Sequence, residues 1–222
     1  MSSSSSDAPS LRSRLDTLRT LDPGPAPRIF GASHHGYTSH PTAPEELAAL
    51  ERRLGVRLPA DYRAFLLEIG WGAGPYYGLW SPAAILAEQE GLTRDMEIET
   101  NVMVQAADPF PFGPADIQDL LGNPDGALHA TWPASGAIPI GHQGCTFWSA
   151  LVTTGPLAGT VWDAGCIEYW DGNWAPARTP PGWLAGPEGP WTQRQLSPLP
   201  SFREWFDLWL EVACAQLLLQ EG

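Results

Sequence analysis

Four stretches of the chain carry apolar residues at helical spacing. Leu11, Leu15, Leu18 and Leu21 recur three or four apart before Pro23-Gly24-Pro25 stops the run, which predicts a short helix with arginines on its outer face. Thr42 with Glu45 three residues on predicts a capping box, in which each side chain satisfies the other's free backbone N–H. Leu47, Leu50 and Leu54 form the buried face of that helix, Arg52 and Arg53 sit where its dipole favours cations, and Gly55 ends it. Pro59 suits the first turn of a second helix, whose Tyr62, Phe65, Leu66 and Ile69 point one way before Gly70. Towards the C-terminus, Ser201 with Glu204 predicts another capping box, opening a helix that buries Phe202, Trp205, Phe206, Trp209, Val212 and Ala213.

Between these helices the pattern turns to strands and punctuation. Tyr76-Tyr77-Gly78-Leu79-Trp80 reads as an aromatic strand, and residues 83–90 as a further helix. Residues 91–135 are acidic and broken by proline and glycine, so a loop is expected there, with at most a short helix near 114–121. Residues 137–140 read as a strand that Pro139 places at a sheet edge. Residues 145–153 are strong strand sequence, and 154–158 turn them into a partner at 159–162, the clearest hairpin in the chain. Residues 163–198, with Trp170, Trp174, Trp183 and Trp191, are expected to lie across a core rather than form elements. Helices at both ends with hairpin strands between them indicate an α+β fold.

Composition sharpens this picture in two ways. Apolar residues make up 43% of 222, enough for one substantial core and too many for a disordered chain. The net charge is −13, but residues 1–63 carry +1 and residues 64–222 carry −14, with nine acids and only Arg94 inside 88–125. Such a surplus argues against nucleic acid or an anionic membrane as partner and is compatible with a basic protein. No apolar run is long enough to span a membrane, and the serine-rich start lacks the order of a signal peptide. Cys145, Cys166 and Cys214 are an odd number at unrelated spacings, which favours reduced thiols and a cytoplasmic protein, with a Cys145–Cys166 pairing left open.

The stretch 44–80 reads Glu51-x-x-Leu54-Gly55-x-x-Leu58-Pro59-x-x-Tyr62-x-x-Phe65-Leu66, followed by a glycine-rich turn. It resembles the opening of the SUKH superfamily, the Smi/Knr-type proteins. His35-Gly36-Tyr37 before it and Gly74-Pro75-Tyr76-Tyr77-Gly78-Leu79 after it are similar to the lead-in and exit of actinobacterial members. Gly155, Gly159 and Val161 resemble the turn between the family's central strands, and Ser201-Phe202-x-x-Trp205 its closing helix. The resemblance implies a single domain over about 28–215, with a mixed, mainly antiparallel sheet flanked by helices and joined by long Pro/Gly/Trp-rich loops. Before it stand a tail at 1–10 and a helix with linker at 11–27, and after it a tail at 216–222. The acidic insert around 88–135 and the tryptophan-rich 163–198 are longer than the resemblance to a minimal member implies. Bacterial members are mostly immunity proteins that bind and neutralise a cognate toxin, often a nuclease or nucleic-acid-modifying enzyme; others are protein-interaction hubs. No catalytic residue, cofactor or metal is implied, because the matching residues are packing and turn residues.

Other constellations compete with that reading. Cys145 three residues after His142 is a spacing from which a thiolate nucleophile can be built for a hydrolase. His34, His35 and His40 share one loop, although adjacent histidines diverge and no acid or cysteine stands at ligand spacing. Glu97/Glu99 and Asp116/Asp119 are the paired carboxylates, and the four late tryptophans can form a sugar-stacking platform or close a core. The reading preferred is protein binding by a monomer or weak dimer: Glu97, Glu99, Asp108, Asp116 and Asp119 steer a basic toxin, and Trp71, Tyr76, Tyr77 and Trp80 anchor it.

Overall fold

The structure is a computed structural model that describes residues 10–24, 26–122, 127–168, 170–177 and 199–219. The leucine-spaced segment at the N-terminus folds as α1 (Leu11–Leu21), with Ser10 Oγ accepting from the Ser13 N–H. Its Leu11, Leu15 and Leu18 are buried, and its arginines do more than face water. Arg14 pairs with Asp207 at 2.6 Å, Arg12 donates to the Glu68 carbonyl and Arg19 to the Tyr37 carbonyl. α1 is thereby stitched to three other parts of the chain.

α2 (Pro44–Leu54) and α3 (Ala60–Glu68) follow, burying Leu47, Leu50, Leu54, Tyr62, Phe65 and Leu66 as the periodicity requires. The first capping box does not form. Ala43 takes the N-cap position and Pro44 the first helical one, so Glu45 falls one place short of the reciprocal bond. The Thr42 N–H is already taken by the Leu66 carbonyl at 2.8 Å. Pro59 caps α3 from just outside it rather than sitting in the first turn. Glu51 explains its place in the motif: its Oε1 accepts from the Leu58 N–H at 2.8 Å and from Arg63 Nε at 2.7 Å, locking α2 to α3.

The short strands β1 (Ser39–His40) and β2 (Trp71–Gly72) pair antiparallel. Residues 76–80 are not a strand: Tyr76 has φ 55° and Gly78 φ 92°, which folds the segment back so that only Leu79 bridges to Gly72. The next helix, α4 (Pro82–Thr100), is far longer than 83–90. Its inward stripe runs through Ile85, Gln89 and Met96, and the glutamine interrupts the apolar spacing that would have revealed it. α5 (Pro114–Gly122) lies where a short helix is expected.

The main sheet contains β3 (Leu128–Thr131), β4 (Ala137–Gly144), β5 (Phe147–Val152), β6 (Val161–Glu168) and β7 (Asp171–Pro176), ordered β3-β7-β6-β5-β4. All its pairings among the described residues are antiparallel, in line with the mainly antiparallel sheet expected. β4 is an edge strand, as Pro139 requires. β6 and β7 correct the expectation that residues after 163 form no elements, and β3 corrects the loop expected through 135. The glycines and prolines there mark tight turns between short strands rather than an absence of strands. Trp183 and Trp191 lie outside the described residues.

Side chains alternate across this sheet with period two. Ile138, Ile140, Leu151 and Val161 face the helices α1, α2, α3 and α6 (Phe202–Leu219). The second capping box forms as expected: the Ser201 N–H donates to Glu204 Oε2 at 2.9 Å and the Glu204 N–H to Ser201 Oγ at 3.3 Å. Ala137, Ala150, Val152, Trp162, Ala164 and Trp174 face the other way, into a second core completed by Phe110, Ile117 and Trp132. The α+β expectation therefore holds, with helices on one face and the insert on the other.

Candidate partner-binding surface

The acidic insert is built on α4. Ser81 Oγ accepts from the Ala84 N–H, Pro82 occupies the first turn, and Asn101 at φ 58° ends the helix. The last two turns place Glu97, Ile98 and Glu99 in solvent, with Ile98 at 74% exposure. Beyond Asn101 the chain exposes Val102 and Met103 and then dives inward at Val104 and Ala106.

This connection is held by hydrogen bonds to the sheet rather than by its own pairing. The Ala106 carbonyl accepts from Thr153 Oγ1 at 2.6 Å, the Asp108 carbonyl from Thr154 Oγ1 at 2.7 Å and the Gln105 carbonyl from the Gly136 N–H at 2.9 Å. Gly136 is obligatory for this seam. It has φ 71°, and a Cβ there would lie 2.5 Å from the Phe110 nitrogen and 2.7 Å from the Asp108 oxygen. The irregular backbone is therefore fixed.

The five predicted acids differ in availability. Glu99 accepts from Trp170 Nε1 at 2.7 Å, and Asp116 accepts from the Gly113 N–H at 2.7 Å at the start of α5. Glu97 and Asp119 are exposed and Asp108 is half-buried, and none of the three has an ion-pair partner among the described residues. The acids thus sit on three successive pieces of the insert: the end of α4, the connection and α5.

The four predicted aromatic anchors divide as well. Tyr76 is 5% exposed, and its burial together with the charge of Asp163 pushes its hydroxyl pKa up. Trp71 and Trp80 are half-buried, Trp71 lying 4.5 Å from the His40 ring. Tyr77 is the most connected. Its ring centroid lies 4.5 Å from His34, 5.3 Å from Phe30 and 6.3 Å from His142, on which it stacks. His142 in turn meets Trp148 at 5.4 Å, and Trp148 Nε1 donates to Glu88 of α4 at 3.0 Å. This chain of rings joins the aromatic turn to the acidic helix. Only the pairing of His142 with Trp148 across β4 and β5 brings it about, and no local spacing announces that register.

The other chemistries fare differently. Cys145 occupies the exposed turn between β4 and β5 at φ 49°. His142 Nδ1 accepts from the Gly144 N–H at 3.1 Å, and no hydrogen bond links it to the thiol. Cys145 is a free cysteine, and the side chain of Cys166 lies outside the described residues. The three N-terminal histidines turn to different partners: His34 to Tyr77, His40 to Trp71, and His35 to Tyr37, whose N–H it accepts at 3.0 Å. Burial lowers the His35 pKa to about 4. Among the described residues, no three His, Cys, Asp or Glu side chains gather to hold a metal ion, and no helix is long and apolar enough to cross a membrane. Trp174 is fully buried, whereas Trp170 is half-buried beside Glu99, so these two indoles form no common platform.

Helices over one face of an antiparallel sheet, entered through a helix pair locked by Glu51, define the class of protein. A comparison with family profiles agrees: the SMI1 / KNR4 family (SUKH-1) matches residues 41–207, three quarters of the chain, and the chain belongs to that family. No curated protein and no solved structure matches it significantly.

Proposed function

We propose that this protein is a non-catalytic, protein-binding immunity protein that neutralises a cognate toxin by stoichiometric binding in the bacterial cytoplasm. Family membership supports a protein-binding role. The observation that carries the finer reading is the insert itself. It concentrates the acidic surplus, presents Glu97, Glu99 and Asp119 to solvent, and is pinned to the sheet by Thr153, Thr154 and Gly136. A rigid acidic surface meets a basic cleft quickly, because opposite fields steer the encounter and little order is lost on docking. A toxin that acts on nucleic acid has such a cleft, and occupying it excludes the substrate. The aromatic path from Tyr77 to Trp148 supplies apolar area beside the acids.

The test is co-expression with the protein encoded by the neighbouring gene. A one-to-one complex that suppresses that protein's toxicity is expected, and reversing charge at Glu97 and Asp119 weakens it without unfolding the domain. If the neighbour's product does not bind and loss of the gene causes no self-intoxication, the immunity reading fails. Many partners in a pull-down would instead favour a general adaptor of the Smi/Knr type. Activity lost on Cys145→Ser would favour the hydrolase.

A further inference from the structure

Beside α4 lies a cavity of about 330 Å³, bounded by the last turn of α2, one face of α4 and the segment 104–106. Its apolar lining is Leu54, Leu86, Val104 and Ala106. Gln89 lines it at 5% exposure, on the same inward stripe as Ile85 and Met96. Its Nε2 donates to Thr93 Oγ1 at 3.3 Å, while Oε1 is buried with no hydrogen-bond partner. An unpaired acceptor at such a position is destabilising, and a leucine would avoid that cost. The position is one where a ligand's donor would satisfy a group the fold leaves unsatisfied.

The charges around the cavity say which kind of donor. Glu90 is already paired with Arg53, and Arg94 reaches Asp95 on its own helix at 3.4 Å. Glu97, two turns along α4 from Gln89 and Glu90 and on the same wall, has no ion-pair partner among the described residues. The unmatched groups are therefore acceptors, the Gln89 carbonyl and the Glu97 carboxylate, in a chain of net charge −13.

We propose that this cavity receives one basic side chain of the bound protein, an arginine in particular. The guanidinium offers several donors in a fixed fork, the chemistry that the acceptors Glu97 and Gln89 Oε1 call for, and its methylene stem suits the apolar lining residues. Ile98, Val102 and Met103, exposed at 74%, 44% and 58%, adjoin the lining residues Glu97 and Val104 in the chain and provide apolar area at the rim. This assignment rests on the protein-binding reading above and names the chemistry that the partner must present.

The experiment uses the full-length ¹⁵N-labelled protein titrated with N-acetyl-arginine amide, with N-acetyl-glutamate amide as the opposite-charge probe. The arginine probe should shift the Gln89 side-chain amide and the backbone amides of Thr93, Glu97 and 104–106 saturably, and the glutamate probe should not. Glu97→Gln should weaken the probe at least about fivefold. Gln89→Leu should abolish the shifts while raising the thermal midpoint, whereas a glutamine kept only for the fold would lower the midpoint when replaced. No saturable shifts at these amides, or larger ones with the glutamate probe, would overturn the assignment. So would unchanged affinity of a protein partner for both variants, although that result leaves the protein-binding reading standing. Loss of all partner binding with the probe still bound would count against that reading alone.

Discussion

On one face of the main sheet, four regular helices bring leucines and the closely spaced aromatic residues of α6 onto Ile138, Ile140, Leu151 and Val161. On the other, Trp132, Trp162 and Trp174 pack with Phe110 and one short helix, and the backbone between them is irregular. Both cores are built of buried apolar side chains, but they are organised by different means. The helical face is ordered by periodicity, its elements bringing their own hydrogen bonds and needing only to stack. The tryptophan face is ordered by a few large rings, Phe110 lying 5.5 Å from Trp162 and 5.6 Å from Trp174, and by hydrogen bonds from sheet to loop. Such a face can carry a variable, charged surface, because its outward positions are free of any repeating pattern.

The strongest way to break this comparison is to remove one large ring from each core. Phe206→Ala and Trp174→Ala are each expected to cost about 3–5 kcal/mol in denaturant unfolding. Hydrogen exchange should then separate them. Trp174→Ala should expose the amides of 104–120 while α2 and α3 stay protected, and Phe206→Ala should lower protection throughout. Equal loss on both faces would erase the distinction.

Next in size is the polar knot that joins α1 to the helical face. Asp22, 5% exposed, accepts from the Arg28 N–H at 2.9 Å, the Ile29 N–H at 3.3 Å and the Tyr37 hydroxyl. Burial opposes its charge, but these hydrogen bonds outweigh it and hold the carboxyl below its ordinary range. Asp22→Ala should cost about 3 kcal/mol, because it leaves the donors unpaired. The wild-type contribution is present above pH 3.8, the ordinary value, and is lost as pH falls through the depressed one. His35 acts at higher pH. It is held neutral with a pKa of about 4 against 6.5 in the open chain, so its contribution is full above 6.5 and fades towards 4. That loss is about 3 kcal/mol, and His35→Gln should flatten the thermal midpoint across this window. Asp22 and His35 both sit against the helical face, Asp22 bonded to Tyr37 and His35 lying 6.1 Å from the Trp209 ring, so acid should loosen that face first.

Two glycines give smaller effects of opposite sign. Gly136→Ala, at φ 71° against the Phe110 nitrogen, should lower stability by about 2 kcal/mol and loosen the insert. Gly91→Ala, inside α4 with nothing near its added Cβ, should raise it by about 0.5–1 kcal/mol. Thermal unfolding of the two variants reads both.

The same contrast governs what can be read from the residues alone. α1, α2, α3 and α6 announce themselves through leucine spacing and the Ser201–Glu204 box, and the β5–β6 hairpin through its turn. α4 hides because Gln89 stands in its inward stripe and Gly91 in its middle, so propensity and pattern both argue against a helix that tertiary packing supports. β7 hides because a strand carrying Gly172 and Asn173 is made by its neighbours rather than by its own residues. The site shows the same limit: the exposed acids are visible in composition, whereas the rings linking Tyr77 to Glu88 depend on the pairing of β4 with β5. Burial of Tyr76 beside the accessible Tyr77 follows from one positive φ that no spacing encodes.

The most direct measurement is calorimetric titration of the wild-type protein, and of Glu97→Arg combined with Asp119→Arg, against the protein encoded by the neighbouring gene. One-to-one binding to the wild type that weakens as salt rises is expected, with at least a tenfold loss in the double variant and an unchanged thermal midpoint. Equal affinity of the two proteins, independent of salt, would contradict the claim that the acidic insert is the binding surface.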